Sequence, residues 1–448
     1  KSSSSILLFK MLFCSMQIQK LYSLFLGSAG ISTDTRTLKK KALFFALKGE
    51  NFDGNLFAEK ALDQGAIAIV VDDAKLKKLG SNVVVVEDTL ITLQKLAAYH
   101  RIQLNTPIIG LTGSNGKTTT KELIRAVLAK KYTVLATKGN LNNHIGVPLT
   151  LLELKKEHEI AVIEMGANHI GEIKMLCEIV LPNWGYITNF GKAHLEGFGG
   201  FKGVIEGKSE LYQHLMQRHQ KILINGDDPI QRKKTNNYSV SSFGQGKENT
   251  FQIHSMEETS SGLQINCNNQ IYTSALHGAY NLNNIAAAVT FGCLYNLKVE
   301  SIQTAIQSYQ ATNNRSQIIK IKNTSIVMDA YNANPTSMEF AIRAFDKIAS
   351  SKSTVILGDM MELGSETEKE HQYILDYCLK TKLTQIHLIG SQFSKVKTQD
   401  VHVHKHQDLD AFKNYIDSQL QLEFDEILIK GSRAMKLETL LPFFESKF

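Results

Sequence analysis

The sequence predicts an α/β protein of three domains, and three observations support this fold class. Its 448 residues exceed the usual size of a single hydrophobic core. Through residues 105–311, short apolar runs alternate with helical patterns, as in a mostly parallel sheet covered by helices on both faces. The alternation returns in residues 312–448, which predicts a Rossmann-like C-terminal domain, although no GxGxxG follows its first strand.

Residues 16–104 are predicted to form a small α/β domain ahead of the central one. The apolar runs 41–47 and 66–71 each predict a strand, and the pattern at 56–64 predicts a helix between them. A second helical stretch, 90–104, leads into the central domain.

The strands of the two larger domains follow from their short apolar runs. Those of the central domain are predicted at 108–112, 134–137, 160–164, 186–189 and 222–225. Antiparallel strands are expected within 250–276, followed by helices at 283–295 and 301–309. In the last domain, strands are predicted at 326–329, 355–357, 386–389 and 427–429.

Composition limits the classes of function. Fifty Lys and Arg against 43 Asp and Glu give a net charge of +7, spread along the chain without a basic block, so we predict no nucleic-acid partner. A few basic residues directed at phosphates would explain the positive net charge equally well. The five cysteines form no CxxC pair, which favours reduced thiols and a cytoplasmic protein: Cys14, Cys177, Cys267, Cys293 and Cys378.

The first fifteen residues combine a serine run with a short apolar stretch at 6–9. They lack a small-residue cleavage site and are too short to span a bilayer, so we interpret them as an upstream extension or a remnant of cloning, with Met16 as the expected natural start. Because no other long apolar run occurs, no stable membrane insertion is predicted.

A glycine-rich turn at residues 110–117 lies between an apolar strand and a helix with one apolar face. Glycines let backbone N–H groups converge on one point, and the helix N-terminus adds its positive dipole end, so such a turn binds phosphate. Lys117 would reach the outer phosphates and the Thr118 hydroxyl would coordinate Mg²⁺. The predicted ATP-binding residues of this turn are Thr112, Gly113, Ser114, Asn115, Gly116, Lys117, Thr118 and Thr119.

The turn departs from the strict nucleotide pattern, which has a glycine at the position of Leu111. The alternative, a plain tight turn with a solvated lysine, leaves the order of strand, turn, Gly-Lys-Thr and helix unexplained.

The variant Thr-Gly-Ser-Asn-Gly-Lys-Thr-Thr resembles the phosphate loop of the Mur ligase family, and the resemblance covers nearly the whole chain from Met16. One departure is His144, where the family often has an acidic residue. The matching segments are 32–36, 46–50, 140–143, 146–148, 164–167, 194–199, Lys208, Gly278 with Asn281 and Asn284, Arg315, 331–335, 358–364 and 430–433.

Within the family, segments 331–335 and 358–364 resemble the members that add D-alanyl-D-alanine, and no Asp-Asn-Pro-Arg segment occurs in the last domain. The resemblance implies an ATP-dependent ligase of peptidoglycan precursor synthesis, which joins D-alanyl-D-alanine to UDP-N-acetylmuramoyl-tripeptide through an acyl phosphate. It also implies Mg²⁺ with ATP as co-substrate, and UDP-N-acetylmuramoyl-tripeptide, D-alanyl-D-alanine and ATP as partners. We expect a monomer. The sequence does not identify the base that deprotonates the amine, nor whether the third residue of the tripeptide is diaminopimelate or lysine.

The family implies catalytic and metal-binding roles for Lys117, Glu164, His194 and Lys208. Glu164 ends an apolar strand, where it is either a solvated acid or a ligand of the Mg²⁺ on ATP. His194 alone would be a structural histidine, and the family makes it a ligand of a second Mg²⁺. Lys208 alone would be a solvated helix lysine, whereas the family uses such a lysine as a carbamate.

The remaining roles also come from the family. Asn281 and Asn284, otherwise ordinary residues of a helix start, would lie beside adenine. Arg315 and Asp329 would hold phosphate and ribose. Nine substrate-binding candidates complete the set: Ser32, Asp34 and Arg36 at the uridine end or in a simple capped turn; Asn140, Asn142 and Asn143 near the nucleotide sugar; and Asn332, Asn334 and Arg433 around the dipeptide.

Two alternatives remain open at this level. The chain could be another ligase of the family, adding the third amino acid or polyglutamylating folate. It could also be a non-catalytic nucleotide-binding sensor of the precursor. Retention of the full catalytic set argues against the sensor, because binding alone would not require it: Lys117, Thr118, Glu164, His194 and Lys208.

Overall fold

The computed structural model describes residues 16–447, except 260–261, 312–313, 351 and 420–423. The predicted N-terminal extension and Cys14 therefore lie outside the described residues. Within them, the fold is mixed α/β with mostly parallel sheets, which confirms the predicted class. No helix in the described part of the chain is long and apolar enough to cross a membrane.

The chain divides into two compact units. One comprises residues 16–110 together with Tyr132–Gly166 and Lys174–Trp184. The other comprises Leu111–Lys131, Ala167–Ile173 and the described residues from Gly185 onward.

The N-terminal region contains a parallel sheet with strand order β1-β2-β5-β6. Strand β5 is wholly buried, as its β-branched sequence Ala-Ile-Val-Val favours. Predicted strand 41–47 is shorter than expected, because the chain turns into a small hairpin formed by β3 and β4. The elements are α1 (16–26), β1 (Ile31–Ser32), β2 (Leu43–Phe45), β3 (Lys48–Gly49), β4 (Phe52–Asp53), α2 (Ala58–Asp63), β5 (Ala68–Val71), β6 (Val83–Val85) and α3 (Thr89–Leu104).

The central sheet has the strand order β15-β14-β13-β12-β11-β10-β7-β9-β8 over the described residues. Its last strands pair antiparallel, which confirms the prediction for residues 250–276. Its strands are β7 (Ile108–Thr112), β8 (Val134–Ala136), β9 (Ile160–Glu164), β10 (Trp184–Ile187), β11 (Lys221–Asn225), β12 (Ser241–Gly244), β13 (Phe251–Thr259), β14 (Gly262–Cys267) and β15 (Gln270–Ser274).

The helices of this region alternate with its strands along the chain. Two of them confirm the helices predicted at 283–295 and 301–309, with bounds that agree to within two residues. They are α4 (Lys117–Leu128), α5 (Gly146–Leu152), α6 (Glu172–Val180), α7 (Leu195–Phe198), α8 (Phe201–Gln217), α9 (Pro229–Lys234), α10 (Leu282–Leu294) and α11 (Val299–Ser308).

The C-terminal sheet has the strand order β16-β17-β21-β18-β19-β20 and is parallel except for the edge strand β16. The four predicted strands are confirmed, and both edge strands were missed. The elements are β16 (Gln317–Ile321), β17 (Thr324–Asp329), α12 (Pro335–Ile348), β18 (Thr354–Gly358), α13 (Thr367–Cys378), β19 (Gln385–Ile389), β20 (Val403–His406), α14 (Leu409–Ser418), β21 (Glu426–Lys430) and α15 (Leu440–Lys447).

Three histidines stack beneath helix α14 at one side of this sheet. The His387 ring lies 5.1 Å from the His404 ring and 5.4 Å from the His406 ring, and His387 Nδ1 lies 3.1 Å from His406 Nε2. Tyr415 covers the stack. Burial, and then its two histidine neighbours, lower the pKa of His387 from the usual 6.5 to about 3.

This depressed pKa predicts acid sensitivity. The unfolded chain binds a proton at His387 more readily than the folded protein does. The stability that neutral His387 contributes is therefore fully present above about pH 6.5 and is lost as the pH falls toward 3. Between pH 7 and pH 5, the free energy of unfolding should therefore decrease by roughly 1–2 kcal/mol less in His387→Leu than in the unsubstituted protein. Thermal melting at both pH values measures it, with exposed His254→Ala as the control. An unchanged pH dependence would contradict the prediction.

Candidate nucleotide and substrate site

The phosphate loop joins β7 to α4, in the order that the sequence predicted. Gly116 precedes the helix with a φ of 78°, and the apolar face of α4 is buried. Lys117 Nζ donates to the carbonyl oxygens of Gly113 and Ser114, at 2.8 and 3.3 Å. Thr118 and Thr119 occupy the first turn of the helix, where backbone N–H groups and the helix dipole favour an anion.

Two residues that follow strand β10 hold the loop, and the sequence analysis missed both. Thr188 Oγ1 and Asn189 Nδ2 donate to the Asn115 carbonyl oxygen, at 2.6 and 2.9 Å. The Asn115 N–H in turn donates to Asn189 Oδ1 at 3.1 Å. Residue 189 was predicted within a strand, but β10 ends at Ile187, which leaves the Asn189 side chain beside the loop. A polar residue at the end of a buried apolar run was the available signal.

Helix α10 is joined to the phosphate-loop helix through two buried asparagines. Asn284 Oδ1 accepts from Thr120 Oγ1 at 2.9 Å, and Asn284 Nδ2 donates to Asn281 Oδ1 at 2.9 Å. Asn281 Nδ2 donates to the His277 carbonyl oxygen. These bonds place both asparagines next to the loop. Their predicted role beside adenine stays a prediction.

Lys208 is fully buried in helix α8, which excludes the solvated-lysine alternative. Its Nζ donates to the Ala167 carbonyl oxygen at 3.0 Å and lies 5.0 Å from the centre of the Phe198 ring. Burial first, and then repulsion from Lys117, hold the pKa of Lys208 well below the usual value, against the opposing effect of Glu172 and Glu210.

His194 has a positive φ of 53° at the start of α7, and its Nδ1 is paired with Glu362. This hydrogen bond, followed by burial in the opposite direction, leaves the pKa of Glu362 lowered. Glu362 was not among the predicted site residues, although it lies in the matching segment 358–364. The pair borders a cleft of about 250 Å³, lined by Ala193, His194, Asn332, Ala333, Asn334, Met361, Glu362, Ser432, Arg433 and Ala434.

Tyr331 brings two predicted site arginines together. The Arg315 guanidinium lies 3.7 Å from the centre of the Tyr331 ring, and the Arg433 guanidinium lies 5.3 Å from it. The Asp329 carboxylate, a predicted ribose ligand, already accepts a hydrogen bond from Lys430 Nζ at 2.6 Å. The Ser316 N–H also donates to Asp329, at 3.2 Å.

At the end of strand β9, Glu164 is buried and accepts a hydrogen bond from Asn142 Nδ2 at 2.7 Å. Asn143 Oδ1 accepts from the N–H groups of Ile145 and Gly146, which fixes the start of α5. Asn140 is exposed. Asn142 thus lies with the predicted metal-binding carboxylate, and Asn143 has a local structural function.

The predicted uridine loop forms a self-contained turn. Ser32 Oγ donates to the Asp34 carbonyl oxygen at 2.9 Å, and Arg36 makes a two-pronged contact with the Asp34 carboxylate. Hydrogen bonds from the Arg36 side chain and backbone lower the pKa of Asp34 to about 2. The geometry matches the capped-turn alternative and leaves the uridine role a prediction.

The side chains around the phosphate loop bear on whether Mg²⁺ could bind there. Among the described residues, no group of three or more His, Cys, Asp or Glu side chains is placed to hold a metal. Mg²⁺ needs few protein ligands when phosphates and waters complete its octahedron. Thr118, at the start of the phosphate-loop helix, fits an ion that arrives on a nucleotide.

The strand, glycine-rich turn and helix define a nucleotide-binding α/β protein of the P-loop class. Three family models match the chain: "Mur ligase family, catalytic domain" at residues 28–101, "Mur ligase middle domain" at 111–292 and "Mur ligase, glutamate ligase domain" at 314–433. The chain therefore belongs to the Mur ligase family, which confirms the resemblance found in the sequence.

Individual relatives are more specific. The UDP-N-acetylmuramoyl-tripeptide--D-alanyl-D-alanine ligase of Bacillus subtilis is 35% identical over 428 residues, which cover 92% of each chain. A crystal structure of MurF from Acinetobacter baumannii is similar with a TM-score of 0.83 and 32% identity, covering 93% of each chain. MurF from Thermotoga maritima in complex with ADP is similar with a TM-score of 0.82 and 27% identity, covering 93% of this chain and 97% of that one.

The loop geometry predicts that a side chain at position 113 would destabilise the fold. Its φ is +144°, and an added Cβ would lie 2.0 Å from Thr188 Oγ1. Gly113→Ala should therefore destabilise the protein by about 2 kcal/mol or more, through steric overlap added to backbone strain. Gly199→Ala is the control, because it has a positive φ of +69° but no atom within 4 Å of the added Cβ. Equal urea midpoints for the two variants would show that the overlap is relieved at no cost.

Proposed function

We propose that this chain is an ATP-dependent ligase that joins D-alanyl-D-alanine to UDP-N-acetylmuramoyl-tripeptide in peptidoglycan precursor synthesis. The observation that carries the proposal is the 35% identity to the Bacillus subtilis ligase of that name across 92% of both chains. The phosphate loop with Lys117 supports it independently, because the ligase needs a site for the outer phosphates of ATP.

The proposed reaction has two steps. A terminal carboxylate oxygen of the tripeptide attacks the γ-phosphorus of ATP, the bond to the ADP oxygen breaks, and an acyl phosphate forms. The neutral amine of D-alanyl-D-alanine then attacks the acyl carbon, and the bond from this carbon to the phosphate oxygen breaks. The nitrogen loses one proton as the amide forms, and inorganic phosphate leaves. The protein mainly orients the reactants and stabilises negative charge, because both steps proceed through crowded anions.

We assign ATP to the phosphate loop, with Lys117 at the outer phosphates. Asn281 and Asn284 are proposed near adenine, since their bonds already tie α10 to the loop helix. Arg315 and Asp329 are proposed at phosphate and ribose. The Arg315 guanidinium lies 3.7 Å from the centre of the Tyr331 ring, and this contact supports its assignment as a positioned cation for an anion.

The dipeptide is assigned to the cleft of about 250 Å³ that Asn332, Asn334 and Arg433 line. Arg433 supplies a fixed cation for the dipeptide carboxylate. The UDP-precursor is assigned to the N-terminal domain and to the 140–143 segment, with Ser32, Asp34 and Arg36 at the uridine end and Asn140, Asn142 and Asn143 near the sugar.

Magnesium carried on ATP would neutralise phosphate charge, with Thr118 and Glu164 as ligands and His194 and Lys208 at a second ion. We further propose that Lys208 is carbamylated: its neutral amine adds to CO₂, a proton is released, and an N-carboxylate with one negative charge forms. Full burial and a strongly lowered pKa favour the neutral amine that this step requires.

The proposed domain roles follow the chain order. Residues 16–104 bind the UDP-precursor, 105–311 bind ATP, and 312–448 bind the incoming dipeptide. We propose the cytoplasm as the location, because ATP is available there. A monomer is proposed as the working unit.

A substrate panel tests the function. Phosphate release from ATP is measured with UDP-N-acetylmuramoyl-tripeptide and each amine in turn, using both the diaminopimelate and the lysine form of the precursor. Release with D-alanyl-D-alanine is expected. Release with a single amino acid instead would favour the third-residue alternative, and nucleotide binding without any release would favour the sensor.

Lys117→Ala should lower turnover roughly 10²- to 10³-fold or more, because the charge that stabilises the transferring phosphoryl group is lost. The fold should persist, since Lys117 is only partly buried at the start of a helix. Steady-state phosphate release and thermal melting measure the two effects. Exposed Lys130→Ala, just after the same helix, is the control, and near-normal turnover of Lys117→Ala would remove the loop from the chemistry.

Lys208→Ala should be nearly inactive and partly rescued by formate, because a small carboxylate can occupy the space that the carbamate leaves. Lys117→Ala should not be rescued. Exposed Lys202→Ala on the same helix controls for effects on α8. Ordinary activity of Lys208→Ala with CO₂ excluded would refute the carbamate. Mass spectrometry under ¹³CO₂ with chemical trapping provides a readout that does not depend on activity.

A further inference from the structure

Two asparagine side chains join the phosphate loop to the start of helix α12. Asn334 Nδ2 donates to Asn115 Oδ1 at 2.7 Å, and Asn115 Nδ2 donates back to Asn334 Oδ1 at 3.4 Å. Asn115 belongs to the loop proposed to hold ATP. Asn334 belongs to the segment that lines the proposed dipeptide cleft. The amide pair is therefore a direct link between the two proposed binding sites.

The Asn334 side-chain oxygen also takes part in capping its own helix. Its Oδ1 accepts from the Ser337 N–H at 2.9 Å, which caps α12, and Ser337 Oγ accepts from the Asn334 N–H at 3.1 Å. The residue is buried. A dipeptide N–H that bonded to Asn334 Oδ1 would have to displace either the cap or the bond from Asn115 Nδ2, and a buried polar group left unpaired is costly.

A second contact runs parallel to the amide pair. The Lys192 N–H donates to Thr336 Oγ1 at 3.0 Å. At the neighbouring Gly191, an added Cβ would lie 3.0 Å from Asn115 Nδ2 and 3.2 Å from Thr336. The segment after β10 thus fits closely between the phosphate loop and the helix start, which leaves little room for one to move without the other.

We propose that Asn334 is a positioning residue that couples nucleotide binding at the phosphate loop to dipeptide binding in the cleft through its amide pair with Asn115. This inference rests on the proposed function. Nucleotide that fixes the loop backbone also fixes the Asn115 side chain, and this places Asn334 and the cleft segment beside it. By linkage, dipeptide and nucleotide then strengthen each other's binding by the same factor.

Calorimetry on the full chain saturated with UDP-N-acetylmuramoyl-tripeptide measures the coupling. D-alanyl-D-alanine is titrated with and without β,γ-methylene ATP and Mg²⁺. In the unsubstituted protein, the nucleotide should tighten dipeptide binding about tenfold, within the usual range for coupled sites. In Asn334→Ser the factor should fall below about twofold, since serine keeps the cap but cannot reach Asn115. Asn115→Ala should do the same, and the double variant should lose nothing further.

Two further variants separate coupling from helix capping. Asn334→Asp keeps the cap and can still accept from Asn115 Nδ2, so an intermediate factor is expected. Ser337→Ala weakens the cap without touching Asn115, and it should keep the full coupling factor.

The inference is overturned if the unsubstituted protein shows no coupling, or if Asn334→Ser retains the full factor. It is also overturned if Asn334→Ser weakens dipeptide binding equally with and without nucleotide, which is the behaviour of a direct ligand. Failure of the proposed function is distinct: the unsubstituted protein would then release no phosphate with the three substrates.

Discussion

The carbonyl oxygen of Asn115 is the point on which the arrangement of the site depends. Thr188 and Asn189 donate to it from the end of β10, and the Asn189 side chain also accepts from the Asn115 N–H. A loop that must present several backbone N–H groups to one anion has few internal bonds of its own. Anchoring it to an adjacent buried strand supplies the rigidity that the glycines remove, so that the donors are already oriented before an anion binds.

Buried polar side chains continue this arrangement away from the loop. Asn284 and Asn281 connect α10 to α4, and Lys208 ties α8 to the Ala167 carbonyl oxygen. Each such group would destabilise the fold if left unpaired, and each has a partner with ordinary hydrogen-bond geometry. The bonds fix helices around the loop in specific orientations, which apolar packing alone would leave less defined.

The sequence predicted the parts of this fold that depend on local pattern. Buried parallel strands such as β7 and β9 are continuous apolar runs, and the phosphate loop has a distinctive order of residues, so both were found. Edge strands β16 and β20 were missed because half-exposed strands carry polar residues and resemble loops. Among site residues, Asn189 and Glu362 were missed because their partners, Asn115 and His194, lie far away along the chain. Only the fold brings the members of each pair together, so a local sequence pattern could not predict these contacts.

The ion pair between Asp329 and Lys430 has a consequence for how the C-terminal sheet assembles. The two residues are register partners at the ends of the parallel strands β17 and β21, and Lys430 is almost wholly buried. A slip of one residue would turn one of these side chains to the opposite face of the sheet and leave its partner charged and alone in the interior. Apolar strands of isoleucine, valine and leucine would otherwise pair comparably well in several alignments. The ion pair therefore favours the observed alignment of β17 with β21, and this alignment fixes where the segment that lines the cleft leaves the sheet.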